Sequence, residues 1–219
     1  MQISRSTLLW YVVPILLFFL LSLAFFLRPI DLSKTTLEHD SDPLTPNVQL
    51  QLSAGEVYAY ESNLSGSLSN TIYSVAGLAG GCMAVRAEVS NQEIRASSDF
   101  CIDVRTGEIR NSEVPPDFFQ PWMLSLDEGF SWTSRTRIVY PPPIELEDVT
   151  NLSISVEGLG LFRGRPSFKV RALTLRTIDG KQAAKLEHVL WIDSEKRVLL
   201  GSSSSLLEVR LVSAPFDLE

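Results

Sequence analysis

Two cysteines, Cys82 and Cys101, are the residues of this sequence whose spacing most clearly points to covalent chemistry. If the residues between them form a hairpin that turns at Asn91-Gln92, opposed residues have numbers that sum to 183, and the two thiols face each other directly. Opposed residues of an antiparallel pair have Cα atoms about 4.5–5.5 Å apart, which is within disulfide range. The spacing therefore predicts a structural disulfide and an oxidising compartment, with two buried free thiols as the alternative.

Acid–base catalysis would depend on His188, because the other histidine, His39, lies in a polar N-terminal region. His188 shares one face of a predicted strand with Leu190 and Ile192, and such an apolar face is typical of a core position. The sequence has no GxSxG or HExxH motif. Its two cysteines and His188, the one histidine of the predicted folded part, fall short of the four ligands of a structural zinc site. We therefore expect no enzyme, no catalytic residue, no metal and no cofactor.

Carboxylates keep one enzymatic alternative open, an enzyme with a site that no motif identifies. Paired carboxyl groups can support general acid–base chemistry, and several lie in apparent turns: Glu145, Glu147, Asp148, Asp193 and Glu195. We rank this alternative third among the possible functions.

The proline-rich, aromatic residues 114–126 are too irregular for a strand. Large apolar side chains are usually buried, so one interpretation is a plug in the core. The other is the lining of a hydrophobic groove, since such walls are often aromatic and methionine-rich. This second interpretation predicts an apolar contact wall made of Phe118, Phe119, Trp122, Met123 and Trp132.

Two sequons, Asn63-Leu-Ser65 and Asn151-Leu-Ser153, match the acceptor pattern for N-glycosylation. They make Asn63 and Asn151 candidate glycosylation sites, and they favour an exported surface for the domain that carries them.

Short segments of alternating polar and apolar residues follow Gly55, separated by turn residues. The predicted strands are residues 56–61, 71–75, 83–89, 94–104, 131–140, 152–156, 168–176, 183–192 and 205–212. This spacing predicts a mainly antiparallel β domain, built as a curved sheet or half-barrel with few short helices.

Residues 8–27, from Leu8 to Leu27, contain no charged side chain. At the helical rise, about 20 apolar residues span the hydrocarbon core of a bilayer. The run is longer than the apolar core of a cleaved signal peptide, which remains the alternative. We therefore predict a transmembrane signal-anchor helix over residues 8–28, preceded by a cytoplasmic tail over residues 1–7.

Beyond Arg28 the chain is divided into a polar stalk over residues 29–54, which is rich in proline and charge, and an extracytoplasmic β domain over residues 55–219. From Pro29 onward it carries 17 Lys and Arg against 26 Asp and Glu. Such an acidic domain is a poor partner for nucleic acid, whose phosphates require a basic surface. We expect a single-pass protein of the cell membrane, with the N-terminus inside and the domain outside.

Three stretches carry a resemblance to a known layout: PWMLSLDEGFSW at residues 121–132, VEGLGLFRGRPSFKV at residues 156–170, and WIDSEKRVLL at residues 191–200. They resemble uncharacterised exported β-domains, which are similar in layout to the LolA-like half-barrels of bacterial lipoprotein carriers. The resemblance covers residues 55–216 and implies a curved sheet around helices that holds lipid or binds an envelope partner. This chain departs from the carriers because it stays anchored and is short of helices, so no functional residue is transferred.

These observations predict a membrane-anchored, non-catalytic binding module for an envelope protein or an apolar ligand. Its other partner is the lipid bilayer, through residues 8–27. The second-ranked function is a structural or assembly subunit of a membrane or cell-surface complex, joined through an exposed strand edge.

Overall fold

The computed structural model of the chain describes residues 35–91, 95–112, 116–142, 144–216 and 218. These residues form twelve strands and one short 3₁₀ helix at Pro121–Ser125. The strands are β1 (Thr36–Ser41), β2 (Val57–Leu64), β3 (Ser67–Ala79), β4 (Cys82–Ser90), β5 (Arg95–Asp103), β6 (Ile109–Arg110), β7 (Ser131–Val139), β8 (Glu147–Phe162), β9 (Arg165–Ile178), β10 (Lys181–Asp193), β11 (Leu199–Ser203) and β12 (Leu207–Ser213).

The strands form one sheet in the order β1-β7-β8-β9-β10-β11-β12-β2-β3-β4-β5-β6. Every neighbouring pair is antiparallel, which confirms the predicted antiparallel β domain. The sheet is open, because β1 and β6 lie at opposite edges. Four of the connections are two-residue turns with positive φ at both residues, the geometry that suits the twist of a hairpin. They lie at Ser65-Gly66, Gly80-Gly81, Arg163-Gly164 and Asp179-Gly180.

The core lies on the inner face of the sheet and surrounds residues 116–126, which we call the plug. Phe118 is fully buried and stacks on Tyr73 with a ring-centroid distance of 4.3 Å. Its ring also lies 6.0 Å from Tyr58 and 6.5 Å from Phe100. Strands from both halves of the sheet contribute to the same core, because Ile154 and Val170 belong to it as well. The sheet therefore curves around the plug.

Backbone hydrogen bonds fix the plug to the strands beside it. The Leu199 N–H donates to the Phe118 carbonyl oxygen at 2.8 Å. At the other end, the Leu126 carbonyl oxygen accepts from Arg197 Nη1 at 3.0 Å and from Asn47 Nδ2 at 3.1 Å. Arg197 also lies over the Phe168 ring, and burial lowers its pKa. These contacts satisfy polar groups of an irregular segment that would otherwise be buried without partners.

The stalk predicted over residues 29–54 needs correction from residue 35 onward. Thr36–Ser41 pairs with β7 as an edge strand, and Leu50 and Leu52 are each 6 % exposed in the core. The Leu50 N–H donates to the Val104 carbonyl oxygen at 2.9 Å. These residues belong to the β domain because their leucines cover one end of its core.

The predicted anchor, residues 8–28, lies outside the described residues, as does the tail before it. In the part of the chain that the structure describes, no helix has the length and apolarity to cross a bilayer.

A disulfide joins Cys82 and Cys101, as predicted, but the register of the hairpin differs from the predicted one. Cys82 is opposed to Asp103, and Cys101 is opposed to Ala84. The two cysteines are therefore diagonal neighbours on the outer face, with Cα atoms 5.7 Å apart. A shift of two residues keeps both side chains on the same face, and this distance is still within disulfide range.

Candidate functional site

A groove of about 650 Å³ lies on the inner face, between the plug and the ends of β2, β3, β4, β5 and β12. Ligand pockets commonly enclose about 300–1,000 Å³. Its larger apolar lining residues are Leu64, Tyr73, Val89, Phe100, Leu207 and Val209. Hydroxyl groups from Ser62, Ser69, Thr71 and Ser98 are interleaved with these side chains. The surface is thus amphipathic, with hydrogen-bonding groups spread among apolar ones.

The groove exists because, along β2 and β5, the inner-facing residues change from large aromatic side chains to small polar ones. In β2, Tyr58 and Tyr60 are buried, and Ser62 is the next residue on the same face. In β5, Phe100 is buried, and Ser98 precedes it on that face. Small side chains leave unfilled space where the plug does not reach, since the alternation of a strand keeps them on the inner face.

Asp117 carries the one formal charge among the described residues that line the groove. It lies at the start of the plug, and its backbone N–H donates to the Tyr73 hydroxyl oxygen at 3.3 Å. Although the side chain is exposed to the groove, the surrounding walls desolvate it and raise its pKa. Burial also raises the pKa of Tyr73 far above its usual value. The groove therefore favours ligands that are neutral or positively charged where they meet Asp117.

The described lining of this groove contains one carboxylate and no histidine. It therefore does not provide a carboxylate–carboxylate or carboxylate–histidine pair for acid–base chemistry. His188 lies in β10, opposed to Ala172 of β9, and desolvation lowers its pKa. Among the residues that the structure describes, no three His, Cys, Asp or Glu side chains are placed to hold a metal ion.

All five residues of the predicted contact wall are buried. Phe118 and Phe119 are fully buried, and Met123 is 1 % exposed. Trp122 is 7 % and Trp132 9 % exposed. Side chains this deep in the core offer no open surface to a ligand, so this arrangement favours the plug interpretation. All five belong to the hydrophobic core.

The two candidate glycosylation sites lie in different surroundings. Asn63 is exposed near the β2–β3 turn, and its Oδ1 accepts from the Gly66 N–H at 2.8 Å. Asn151 is half-buried within β8, opposed to Arg135 on one side and Leu175 on the other. Neither observation tests glycosylation, which stays a prediction.

Four of the five carboxylates considered for an enzyme lie beside basic residues. Asp148 binds Arg176 at 2.6 Å, and Glu147 binds Arg137 at 2.7 Å. Asp193 is buried and binds Arg165 at 2.8 Å, and Glu195 lies 3.9 Å from the same arginine. Paired in this way, these groups form structural ion pairs at several separate places on the sheet.

The sequence reasoning missed the groove, although one signal was present. Polar residues occupy inner-facing positions at the ends of β2, β3 and β5, in register with buried aromatic residues on the same strands. Such polar residues interrupt an apolar face, and this pattern indicates a surface that is inner-facing but not packed.

No protein-family model matches the chain, and no curated protein matches it. Three solved structures are similar to it at low sequence identity. One is a predicted exported protein with a YmcC-like fold from Bacteroides fragilis, with 10 % identity, a TM-score of 0.47, and coverage of 77 % of this chain and 99 % of that one. A predicted lipoprotein from Parabacteroides distasonis shows 12 % identity and a TM-score of 0.45, over 79 % of this chain and 100 % of that one. The hypothetical lipoprotein YmcC from Escherichia coli shows 12 % identity and a TM-score of 0.35, over 73 % of this chain and 86 % of that one.

Proposed function

We propose that this domain is a non-catalytic binding module whose groove takes a neutral amphiphile, an apolar chain with an uncharged polar group. The observation that carries the proposal is the lining of the groove. Aliphatic and aromatic side chains alternate there with hydroxyl groups, and the plug leaves this part of the inner face unfilled. A hydrocarbon chain would cover Leu64, Val89 and Leu207, and burial of apolar area drives such binding.

The charge of the lining supports a neutral ligand over an anionic one. Of the described residues that line the groove none is Lys, Arg or His, and Asp117 would repel a phosphate or carboxylate headgroup. An envelope protein is the alternative partner, and it would contact the rim without filling the groove.

The cellular placement is part of this proposal. Residues 8–27 would anchor the chain in the cell membrane, with the N-terminus inside and the domain outside. The uncharged length of that stretch supports an anchor, and the Cys82–Cys101 disulfide supports an oxidising compartment. An anchored module would meet membrane-derived amphiphiles without leaving the bilayer surface.

A photoreactive ligand tests the proposal. The full-length chain, reconstituted in phosphatidylcholine nanodiscs, is illuminated with a monoacylglycerol that carries a diazirine in its alkyl chain. We expect labelled peptides from β4 and β12, which contain Val89 and Leu207, and weaker labelling by the matching fatty acid because of its charge. Labelling confined to the outer face, or equal labelling of all exposed peptides, would contradict a groove site.

The second candidate function, a structural or assembly subunit, is favoured by a different observation. The sheet is open at both edges, and on the side away from β4 no described residue pairs with residues 95–100 of β5. Unpaired strand edges are common sites of association with another chain.

A further inference from the structure

Strand β5 has an open edge over most of its length. β6 pairs with it at Cys101 and Ile102 only, and no described residue pairs with residues 95–100 on that side. After β6, Asn111 has a positive φ of 62°, and Pro116 is buried. As far as the described residues go, residues 95–100 thus have one side on which no strand pairs.

The backbone groups of this edge are arranged for pairing. The Asp103 N–H points toward β6, where it donates to the Glu108 carbonyl oxygen at 2.9 Å. The bonding direction alternates along an antiparallel strand. Arg95, Ser97 and Asp99 therefore direct their N–H and C=O groups to the open side, as Asp103 does.

The side chains of the same three residues lie on the outer face, since Phe100 is buried on the inner one. Arg95 and Asp99 are both exposed, and no ion pair joins either of them to another described residue. They lie two positions on either side of Ser97. The two side chains are thus equally far from Ser97 along the strand and carry opposite charges.

We propose that two copies of this chain associate through their β5 edges, antiparallel and about a two-fold axis at Ser97. In this register, Arg95 of each copy lies opposite Asp99 of the other, so two cross-strand ion pairs form. Within its own chain, Asp99 is opposed to Arg86 on β4, so its carboxylate would lie between two arginines. On the inner face, Ala96 meets Ser98 of the second copy, and both side chains are small enough to fit.

Strand β1, the other edge of the sheet, does not have this complementarity. With an axis at Glu38, two glutamates would face each other. With an axis at His39, Glu38 would face Asp40 of the second copy. Like charges directly opposite each other destabilise a strand pair. A contact between β1 and β5 would be heterologous and would add copy after copy into a filament.

The interface is small, because the proposed register contains three hydrogen-bonded residue pairs. Stable dimers usually bury about 1,200–2,000 Å², so the association is weak in dilute solution and is best detected by trapping. The pairing does not depend on an occupied groove. It would bring the grooves of the two copies side by side, since Ser98 of this edge lines the groove on the inner face.

A cysteine on the axis provides the trap. Opposed hydrogen-bonded residues have Cα atoms about 5.5 Å apart, so Ser97→Cys should form an intermolecular disulfide when the purified full-length chain is oxidised. Ser41→Cys, an exposed serine on the β1 edge, is the matched control. We expect a covalent dimer from Ser97→Cys only, with the native disulfide verified by peptide mass. Equal trapping at both positions, or a ladder of larger species, would overturn the proposal.

Charge exchange then tests the register in the Ser97→Cys background. Arg95→Asp makes both ends of the edge acidic, and Asp99→Arg makes both ends basic, so each variant alone should dimerise about tenfold less. A mixture of the two restores both ion pairs and should recover trapping as a heterodimer. This recovery also shows that both variants are folded. The proposed pairing would be overturned if the single charge variants gave the same yield of covalent dimer as Ser97→Cys alone. It would also be overturned if the mixture gave no higher yield than each variant by itself.

Discussion

Asp103 and Asp193 occupy equivalent turn positions in the two halves of the sheet. The Oδ1 of each accepts from the backbone N–H groups two and three residues further on, at 2.6–3.0 Å. Each backbone carbonyl oxygen accepts from the residue four positions on, which is Gly107 or Arg197 and has a positive φ in both turns. Both turns contact the plug, and they differ mainly in burial. The side chain of Asp193 is 1 % exposed and that of Asp103 15 %.

The difference in burial predicts unequal effects of removing the two carboxylates. Asp193→Ala leaves Arg165 without the carboxylate that it binds at 2.8 Å, and loss of one partner of a buried ion pair costs about 3–5 kcal/mol. Asp103→Ala removes the same turn contacts at a solvated position and should cost less. Urea unfolding measures both free energies. Equal losses would show that the turn contacts, and not the buried ion pair, dominate.

Gly107 should tolerate substitution less well than Gly180, although both have a φ of +72°. A Cβ at position 107 would lie 3.0 Å from Leu124 Cδ1 and 3.2 Å from Pro121 Cα, whereas nothing lies within 4 Å at position 180. The left-handed conformation alone costs a non-glycine residue about 1–2 kcal/mol. Gly180→Ala should lose about that amount and Gly107→Ala clearly more. Thermal unfolding compares them, and equal losses would contradict the tight packing of the plug against this turn.

Asp117 and Asp42 should affect stability in opposite directions as pH changes. Desolvation raises the pKa of Asp117 above 3.8, so the folded state binds this proton more tightly than the unfolded chain does. Its contribution is lost as pH rises through the folded pKa. Asp117→Asn should therefore raise Tm at neutral pH, with the difference from wild type disappearing below pH 3.8.

Asp42 provides the opposite case, because hydrogen bonds from the Thr133 hydroxyl and backbone N–H lower its pKa. Its stabilisation is present above pH 3.8 and is lost as pH falls through the folded pKa. Asp42→Asn should lower Tm at neutral pH and converge with wild type in acid. A scan of Tm against pH checks both variants, and curves that shift in the same direction would contradict this assignment.

The disulfide should stabilise the fold independently of the groove. It closes a loop between residues 19 apart, which corresponds to about 3 kcal/mol of chain entropy removed from the unfolded state. The variant Cys82→Ala/Cys101→Ala should lose about that free energy of unfolding in urea, as should the reduced wild type. Reductant should leave the double variant unchanged. A comparable effect of reductant on that variant would show that the loss comes from something other than this bond.

The strands could be predicted from sequence because most alternate between buried and exposed residues and end at turn residues, as β4 and β12 do. The register of β4 and β5 could not be predicted. The sequence does not fix the length of the loop between them, and a longer or shorter loop shifts the pairing by two residues. Thr36–Ser41 gave no signal because all six residues are exposed, so an edge strand of this kind has no apolar face. The groove was missed for a related reason: Ser62 and Ser98 are polar residues at inner-facing positions.

The most direct test of the groove as a ligand site compares two valines of nearly equal exposure. Val89 is 42 % exposed inside the groove, and Val212 is 39 % exposed in β12, on the face opposite to the buried Leu211. A tryptophan at position 89 would fill the groove, whereas one at position 212 would extend into solvent. The measurement is the yield of photolabelling by the diazirine monoacylglycerol in nanodiscs. We predict a loss of about tenfold or more for Val89→Trp, since roughly 1.4 kcal/mol of lost contact has that effect, and wild-type labelling for Val212→Trp. Equal labelling of both variants would contradict ligand binding in the groove.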